Sequence, residues 1–263
     1  MTTIWNPSLV SDELLALTRS LGEPGRDLAI LAEGNTSQSL GDGRVVVKAS
    51  GANLAAATTG DFVVVDVAEV ASLLHDERAD QDTLTAVLDA GVHHGTHRRA
   101  SIETLVHAAV HAVSPVEFIG HTHPTAVLGL LASVHAATAY DAPAYSDEAV
   151  VLGRPLFVPY AQPGFKLGRL FFDVLRRRVD ETGELPALIL LGNHGIVATA
   201  PTAAGVDGIS AMAVKTAQVR LGAYAAGGLV PLPAEGIAEF FARADISERR
   251  RDLRSGGGAD SPT

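Results

Sequence analysis

The 263-residue sequence contains no cysteine, one tryptophan and two methionines, and only 5% of it is aromatic. Without thiols there is no disulfide, no thiolate nucleophile and no cysteine-held zinc, so any metal must be held by His, Asp, Glu or water. Positive charge is also scarce: 20 Lys and Arg stand against 30 Asp and Glu, a formal charge of −10. Sequence-independent nucleic-acid binding needs clustered Lys and Arg, so a nucleic-acid partner is not expected. The longest apolar runs, such as 185–191, fall well short of the ~20 residues of a membrane-spanning helix. Residues 1–11 have neither the basic stretch nor the apolar core of a secretory signal. The expectation is a cytoplasmic protein with no membrane partner.

What is present is the composition of a globular chain, with 47% hydrophobic residues and ten histidines. At this length a large core can be buried. The first element is a helix: Ser11 is a plausible N-cap, Asp12 and Glu13 suit the positive end of the dipole, and Gly22 stops it. β-Branched and apolar runs predict strands at 45–49, 62–66, 116–120, 156–160, 187–191 and 196–199. Helical patterns cover 67–75, 101–113 with Ser101 as cap, 125–135, 164–180 and 202–226. Residues 33–37 and 50–53 read as turns, and 76–95 as a polar, alanine-rich segment helical in part. Strands and helices alternate without an internal repeat, which predicts one α/β domain over 1–246. Beyond it, the charged and then Gly/Ser/Pro-rich stretch 247–263 reads as a disordered tail.

Several residues could carry chemistry. His121 and His123 lie two apart at the end of a strand, so their imidazoles can converge on one face and suit a divalent metal. His194, between Asn193 and Gly195 at the end of another apolar strand, would complete a three-imidazole set. Three protein ligands and an open position are the pattern of a catalytic zinc site. Glu103 opens a helix with His107 and His111 at i+4 and i+8. It reads either as a dipole-stabilising carboxylate or as a base beside the metal, and the two histidines read as ordinary packed or solvated residues. The loops 34–37 and 48–51 offer backbone N–H groups and hydroxyls for an oxyanion, though neither matches a nucleotide-binding spacing. Lys48 or Arg99 could add positive charge there. His93, His94 and His97 show no convergent spacing, and the run 249–251 reads as solvated tail. Tyr140, Tyr145 and Tyr160 are candidates for a proton donor.

The order of these pieces resembles the class II aldolase/adducin family, which includes fuculose- and rhamnulose-phosphate aldolases. The resemblance spans about residues 31–202. It is carried by Glu33-Gly34-Asn35-Thr36-Ser37, Lys48-Ala49-Ser50-Gly51, Ser101-Ile102-Glu103, His121-Thr122-His123-Pro124 and Asn193-His194-Gly195. It implies a three-layer α/β/α fold on a central, mostly antiparallel sheet, and a homotetramer with sites near subunit interfaces. It implies zinc, or another divalent metal, on His121, His123 and His194. Glu103 would be the acid/base, with a pKa raised by burial. Asn35, Ser50, Gly51 and Ser101 would surround the phosphate of a small sugar substrate. The implied activity is cleavage to a dihydroxyacetone-phosphate-like ketone and an aldehyde through a zinc-stabilised enediolate. Epimerase, dehydratase and a non-catalytic adducin-like module are the alternatives. Ile102 departs from the pattern: fuculose-phosphate-type aldolases have a second serine there, so one phosphate-facing hydroxyl is missing.

Overall fold

The computed structural model describes residues 3–255. In chain order the elements are β1 (Thr3–Ile4), α1 (Asp12–Leu21), β2 (Asn35–Ser39), β3 (Arg44–Lys48), β4 (Phe62–Asp66), α2 (Val67–Ser72), α3 (Gln81–Val87), β5 (Asp89–His93) and β6 (Thr96–Arg99). Then come α4 (Thr104–Val113), β7 (Phe118–Thr122), α5 (Thr125–Leu131), α6 (Ser146–Leu152), β8 (Leu156–Val158), α7 (Phe165–Thr182), β9 (Leu188–Leu191), β10 (Gly195–Ala200), α8 (Ala203–Ala225), α9 (Ala234–Ala242) and α10 (Ala244–Ser255).

Eight strands form one sheet in the order β1-β4-β3-β2-β7-β10-β9-β8. Every neighbouring pair is antiparallel except β8–β9. Apart from β2, most strands read as largely apolar runs because both faces are covered. Val45, Val47, Val63, Val65, Ile119 and Val197 face a core built with α2, α4 and α7. Their neighbours Val46, Phe62, Val64, Phe118, Ile196 and Ala198 face a second core with α1, α5 and α8. The expected three-layer α/β/α arrangement is present.

Several local expectations change. Of residues 33–37, expected as a turn, 35–37 open strand β2 in mid-sheet, paired with both β3 and β7. Small polar residues hide there because the helices above and below supply hydrogen-bond partners. Ser101 does not cap the following helix: α4 begins at Thr104, with Glu103 as its N-cap residue. The segment 76–95 holds α3 and the first strand of a β5–β6 hairpin. At the C-terminus, residues 247–255, expected as tail, continue α10, which buries Ile246 and pairs Arg249 with Asp147 at 3.2 Å. The rest of the expected tail, 256–263, lies outside the described residues.

The fully buried Arg220 of α8 meets Glu148 of α6 bidentately, at 2.8 and 2.6 Å. It also donates to the carbonyls of Ala139 and Ala142 and lies over the Tyr140 ring. Removing one member of such a pair strands the other charge without water. Arg220→Ala should cost about 3–5 kcal/mol in urea unfolding. A loss below about 1 kcal/mol would show that the pair does not hold the α5–α6 connection to α8.

His111 of α4 is also buried, and burial pushes its pKa down to about 4. An unfolded histidine titrates near 6.5. The unfolded chain therefore binds the extra proton first, so stability falls as pH drops from about 6.5 toward about 4, by about 1.4 kcal/mol per unit. His111→Met should flatten this acid limb in denaturation midpoints measured against pH, whereas an unchanged limb would assign it to other groups.

Candidate active site

The sheet register assembles the site. Asn35 of β2 lies opposite His121 of β7, and His121 lies opposite Val197 of β10. Ile119, His121 and His123 alternate toward the face that carries α4, as do Ser37 and Asn35. Pro124 then caps α5 and turns the chain away. His194 comes from the tight turn between β9 and β10, where Asn193 takes the left-handed backbone conformation, φ 53°. Gly195 must be small: a Cβ there would lie 2.7 Å from the His123 ring and 2.4 Å from the Thr122 carbonyl oxygen.

Glu103 reaches into this cluster from the start of α4. Its Oε2 is 2.9 Å from His121 Nε2 and its Oε1 is 2.7 Å from His194 Nε2. His121 and His123 face each other through Nε2 at 2.9 Å. One ligand atom from each of Glu103, His121, His123 and His194 lies within 4.8 Å of all the others. His121 Nδ1 lies 2.8 Å from the Ile196 carbonyl, an acceptor, so Nδ1 carries a proton and Nε2 is the nitrogen that faces Glu103 and would offer its lone pair to a metal. Three imidazole nitrogens and one carboxylate, with the Nδ1–H of His121 anchored on a backbone carbonyl, fit a divalent metal. The side chains of Glu103 and His123 keep 11% and 18% exposure, so the cluster touches solvent.

The electrostatics differ from the expectation at Glu103. Burial pushes its carboxyl up, as expected, but His121 and His194 outweigh this and hold it well below the usual carboxylate range. The group stands as a carboxylate. His123 is pushed down to about 3, by burial first and then by its imidazole neighbours.

Of the expected substrate residues, Asn35 and Ser101 join the cluster and Ser50 and Gly51 border it. Asn35 Nδ2 donates to Glu103 Oε2 at 3.0 Å and to Ser101 Oγ at 3.2 Å. Ser50 and Gly51 are exposed on a turn that the Ala49–Ala100 bridge holds beside Ser101. Lys48 is buried and its Nζ donates to the carbonyls of Ala49 and Ala52, bracing that turn from inside. Burial lowers its pKa to about 8. Of the tyrosines, Tyr140 packs on Arg220 and Tyr145 bonds to Met212 and Thr216. Tyr160 is exposed, with its backbone against Gly192, two residues before His194. Sequence reasoning passed over His107, which is buried against Asn35 and Ser37. Its i+4 spacing from Glu103 was the available signal. It also missed Glu33, whose Oε1 is 3.8 Å from His123 Nδ1.

Residues 12–221 match the model of the Class II Aldolase and Adducin N-terminal domain. The chain belongs to this family. Among curated relatives, YuxG of Bacillus subtilis, an uncharacterised oxidoreductase, is 26% identical over 151 residues, 57% of this chain. The matched part is 20% of that protein, so the chain spans a fraction of its length. YgbL from Klebsiella pneumoniae, described as a candidate aldolase, epimerase or decarboxylase, superposes with a TM-score of 0.65 at 21% identity, covering 89% of this chain and 98% of its own. The L-fuculose-1-phosphate aldolase of Thermus thermophilus gives 0.59 at 18% identity, covering 82% and 98%. At these identities the likeness is one of fold. Among the described residues no helix of this family member is long and apolar enough to cross a membrane.

Replacing His121 or His194 by alanine should strip the purified protein of stoichiometric divalent metal, read by elemental analysis. Undiminished metal in either variant would rule out this cluster as the site.

Proposed function

We propose that this chain is a zinc-dependent aldolase that cleaves a sugar or sugar phosphate into a dihydroxyacetone-phosphate-like ketone and an aldehyde. The observation that supports this most is Glu103, a buried carboxylate set against three imidazoles with a window to solvent. A bound divalent ion, zinc by preference for three imidazoles, would supply Lewis-acid polarisation of the substrate carbonyl. Mn²⁺, Co²⁺ and Fe²⁺ suit the same donors less selectively.

Glu103 moves the proton on the carbon next to the carbonyl. In the synthetic direction its carboxylate removes that proton, and the carbon's electron pair forms the new bond to the aldehyde carbon. In cleavage the same bond breaks, its electron pair stays with the ketone fragment, and Glu103 returns the proton to carbon. A base already ionised in the resting site suits the first step, and the dry surroundings strengthen the second. Tyr160, exposed beside Gly192, is the tyrosine we assign to exchange the hydroxyl proton of the departing aldehyde. Ser50, Gly51 and Ser101 are the groups we assign to the substrate's anionic end. Asn35 contributes by holding Ser101 and Glu103 in place, since its amide is already engaged within the protein. The same reading takes the active form to be a cytoplasmic homotetramer.

Incubation of the metal-loaded protein with sugar phosphates should release an aldehyde and a three-carbon ketone. Epimers or a dehydrated product without aldehyde would move the reading to an epimerase or dehydratase of the family. A metal-free protein that stays inert after zinc is added would mark a binding module. Glu103→Gln should lower kcat by about 10²–10⁴-fold with metal retained, as expected for loss of a general base. Near-normal turnover in that variant would remove Glu103 from the proton transfer.

A further inference from the structure

Asn35 has a donor end and an acceptor end, and the carboxylate of Glu103 accepts only. The end of Asn35 that lies 3.0 Å from Glu103 Oε2 must therefore be the NH₂, and its second N–H points to Ser101 Oγ. That leaves Asn35 Oδ1 facing His107 Nε2 at 2.5 Å. A carbonyl oxygen accepts, so Nε2 must carry the ring proton. His107 Nδ1 is then a bare acceptor, 2.6 Å from Ser37 Oγ, and the Ser37 hydroxyl donates to it. The opposite tautomer propagates badly. An Nδ1–H on Ser37 would leave Nε2 bare, and the amide would have to turn its NH₂ to the ring and its oxygen onto the Glu103 carboxylate. Two acceptors would then meet in a buried site, a cost of a lost hydrogen bond and more. Burial also keeps the ring from taking a second proton, since His107 is held down to about 3.

We propose that Ser37 and His107 act as a positioning relay that fixes the orientation of the Asn35 amide, so that both of its N–H groups are held on Glu103 and Ser101. The Glu103 carboxylate and the His107 Nε2–H hold the amide from its two ends, and the Ser37 hydroxyl turns to donate to the bare Nδ1 that this leaves. The relay lies along one strand and one helix: Ser37 and Asn35 are two apart on β2, and Glu103 and His107 are one turn apart at the start of α4. Neither Ser37 nor His107 is among the candidate metal ligands. The catalytic consequence rests on the aldolase reading, because it takes Glu103 as the working base; the hydrogen-bond arrangement itself does not.

The test has two arms. In metal-loaded protein labelled with ¹⁵N-histidine, the His107 ring is assigned by the signal lost in His107→Gln. At neutral pH it should be the Nε2–H tautomer, kept in Ser37→Ala because Asn35 Oδ1 still accepts from Nε2, with the Nδ1 signal shifted by the lost hydroxyl. An Nδ1–H or doubly protonated ring in the wild-type protein overturns the proposal, as does an Nδ1 signal unmoved in Ser37→Ala. In turnover, Ser37→Ala and His107→Leu should lower kcat about tenfold at unchanged KM and metal content, the usual scale for such supporting contacts. His107→Gln, whose side-chain N–H can still reach Asn35 Oδ1, should recover most of it. A fully active His107→Leu, or a glutamine no better than leucine, overturns the positioning role. If the wild-type protein shows no aldol chemistry, the aldolase reading fails and the tautomer measurement alone decides the relay.

Discussion

Asn35 faces His121 across the pairing of β2 with β7, and that register is the constraint on which the site depends. A slip of one residue would carry every side chain of a strand to the opposite face of the sheet. Asn35 and Ser37 would then leave α4 for the core under α1, and His121 would leave Glu103. The register is protected by what surrounds the polar residues. Ile119 and Phe118 fill opposite cores one turn of the pleat away, and Val45, Val46 and Val47 do the same on β3. The apolar residues of β7 thus decide where its histidines can be.

Burying such a cluster is costly, and the surrounding groups show how the cost is met. An unpaired carboxylate away from water is worth many kcal/mol, so it must find charge or donors. Glu103 finds His121, His194 and the Asn35 amide. The same contacts explain why its pKa moves down and not up: burial alone would raise it, and a site with one carboxylate among three imidazoles reverses the sign. The carboxylate is therefore a base at rest, which places the demand for an acid on the cleavage direction, after it has taken a proton.

Much of this was legible in the sequence. The periodicity placed α1, six of the eight strands of the sheet and the long α7 and α8, because alternation and helical spacing survive without knowledge of neighbours. The histidines and Glu103 were found because their residue types are few and their spacing is local. Residues 35–37 read as a turn because a strand of Asn, Thr, Ser and Gln has no apolar signature; its burial is set by α1 and α4, outside the strand itself. Ser101 looked like a cap, but its hydroxyl lies against Asn35 and the helix starts three residues later. His107 looked like an ordinary packed histidine, and only the fold shows that its two nitrogens meet residues 70 and 72 positions away. The chain's helical end beyond 247 was masked by charge, since one buried Ile246 and one ion pair are a faint signal against a run of Arg and Glu.

The charge balance poses the sharper question for an anionic substrate. With a formal charge of −10, the protein as a whole repels a phosphate, so attraction must be local. Lys48, the nearest lysine in sequence to the Ser50–Gly51 turn, is spent on the carbonyls beneath it. Arg98 is paired with Asp61 at 3.1 Å. Ile102 supplies no hydroxyl. What is left beside Ser50 and Ser101 is Arg99, whose buried Nε has no hydrogen-bond partner and whose backbone carbonyl accepts from Ser50. On the aldolase reading, a metal held by the imidazoles would add concentrated positive charge, and with Arg99 it would draw the anionic end of a substrate that Ser50 and Ser101 meet.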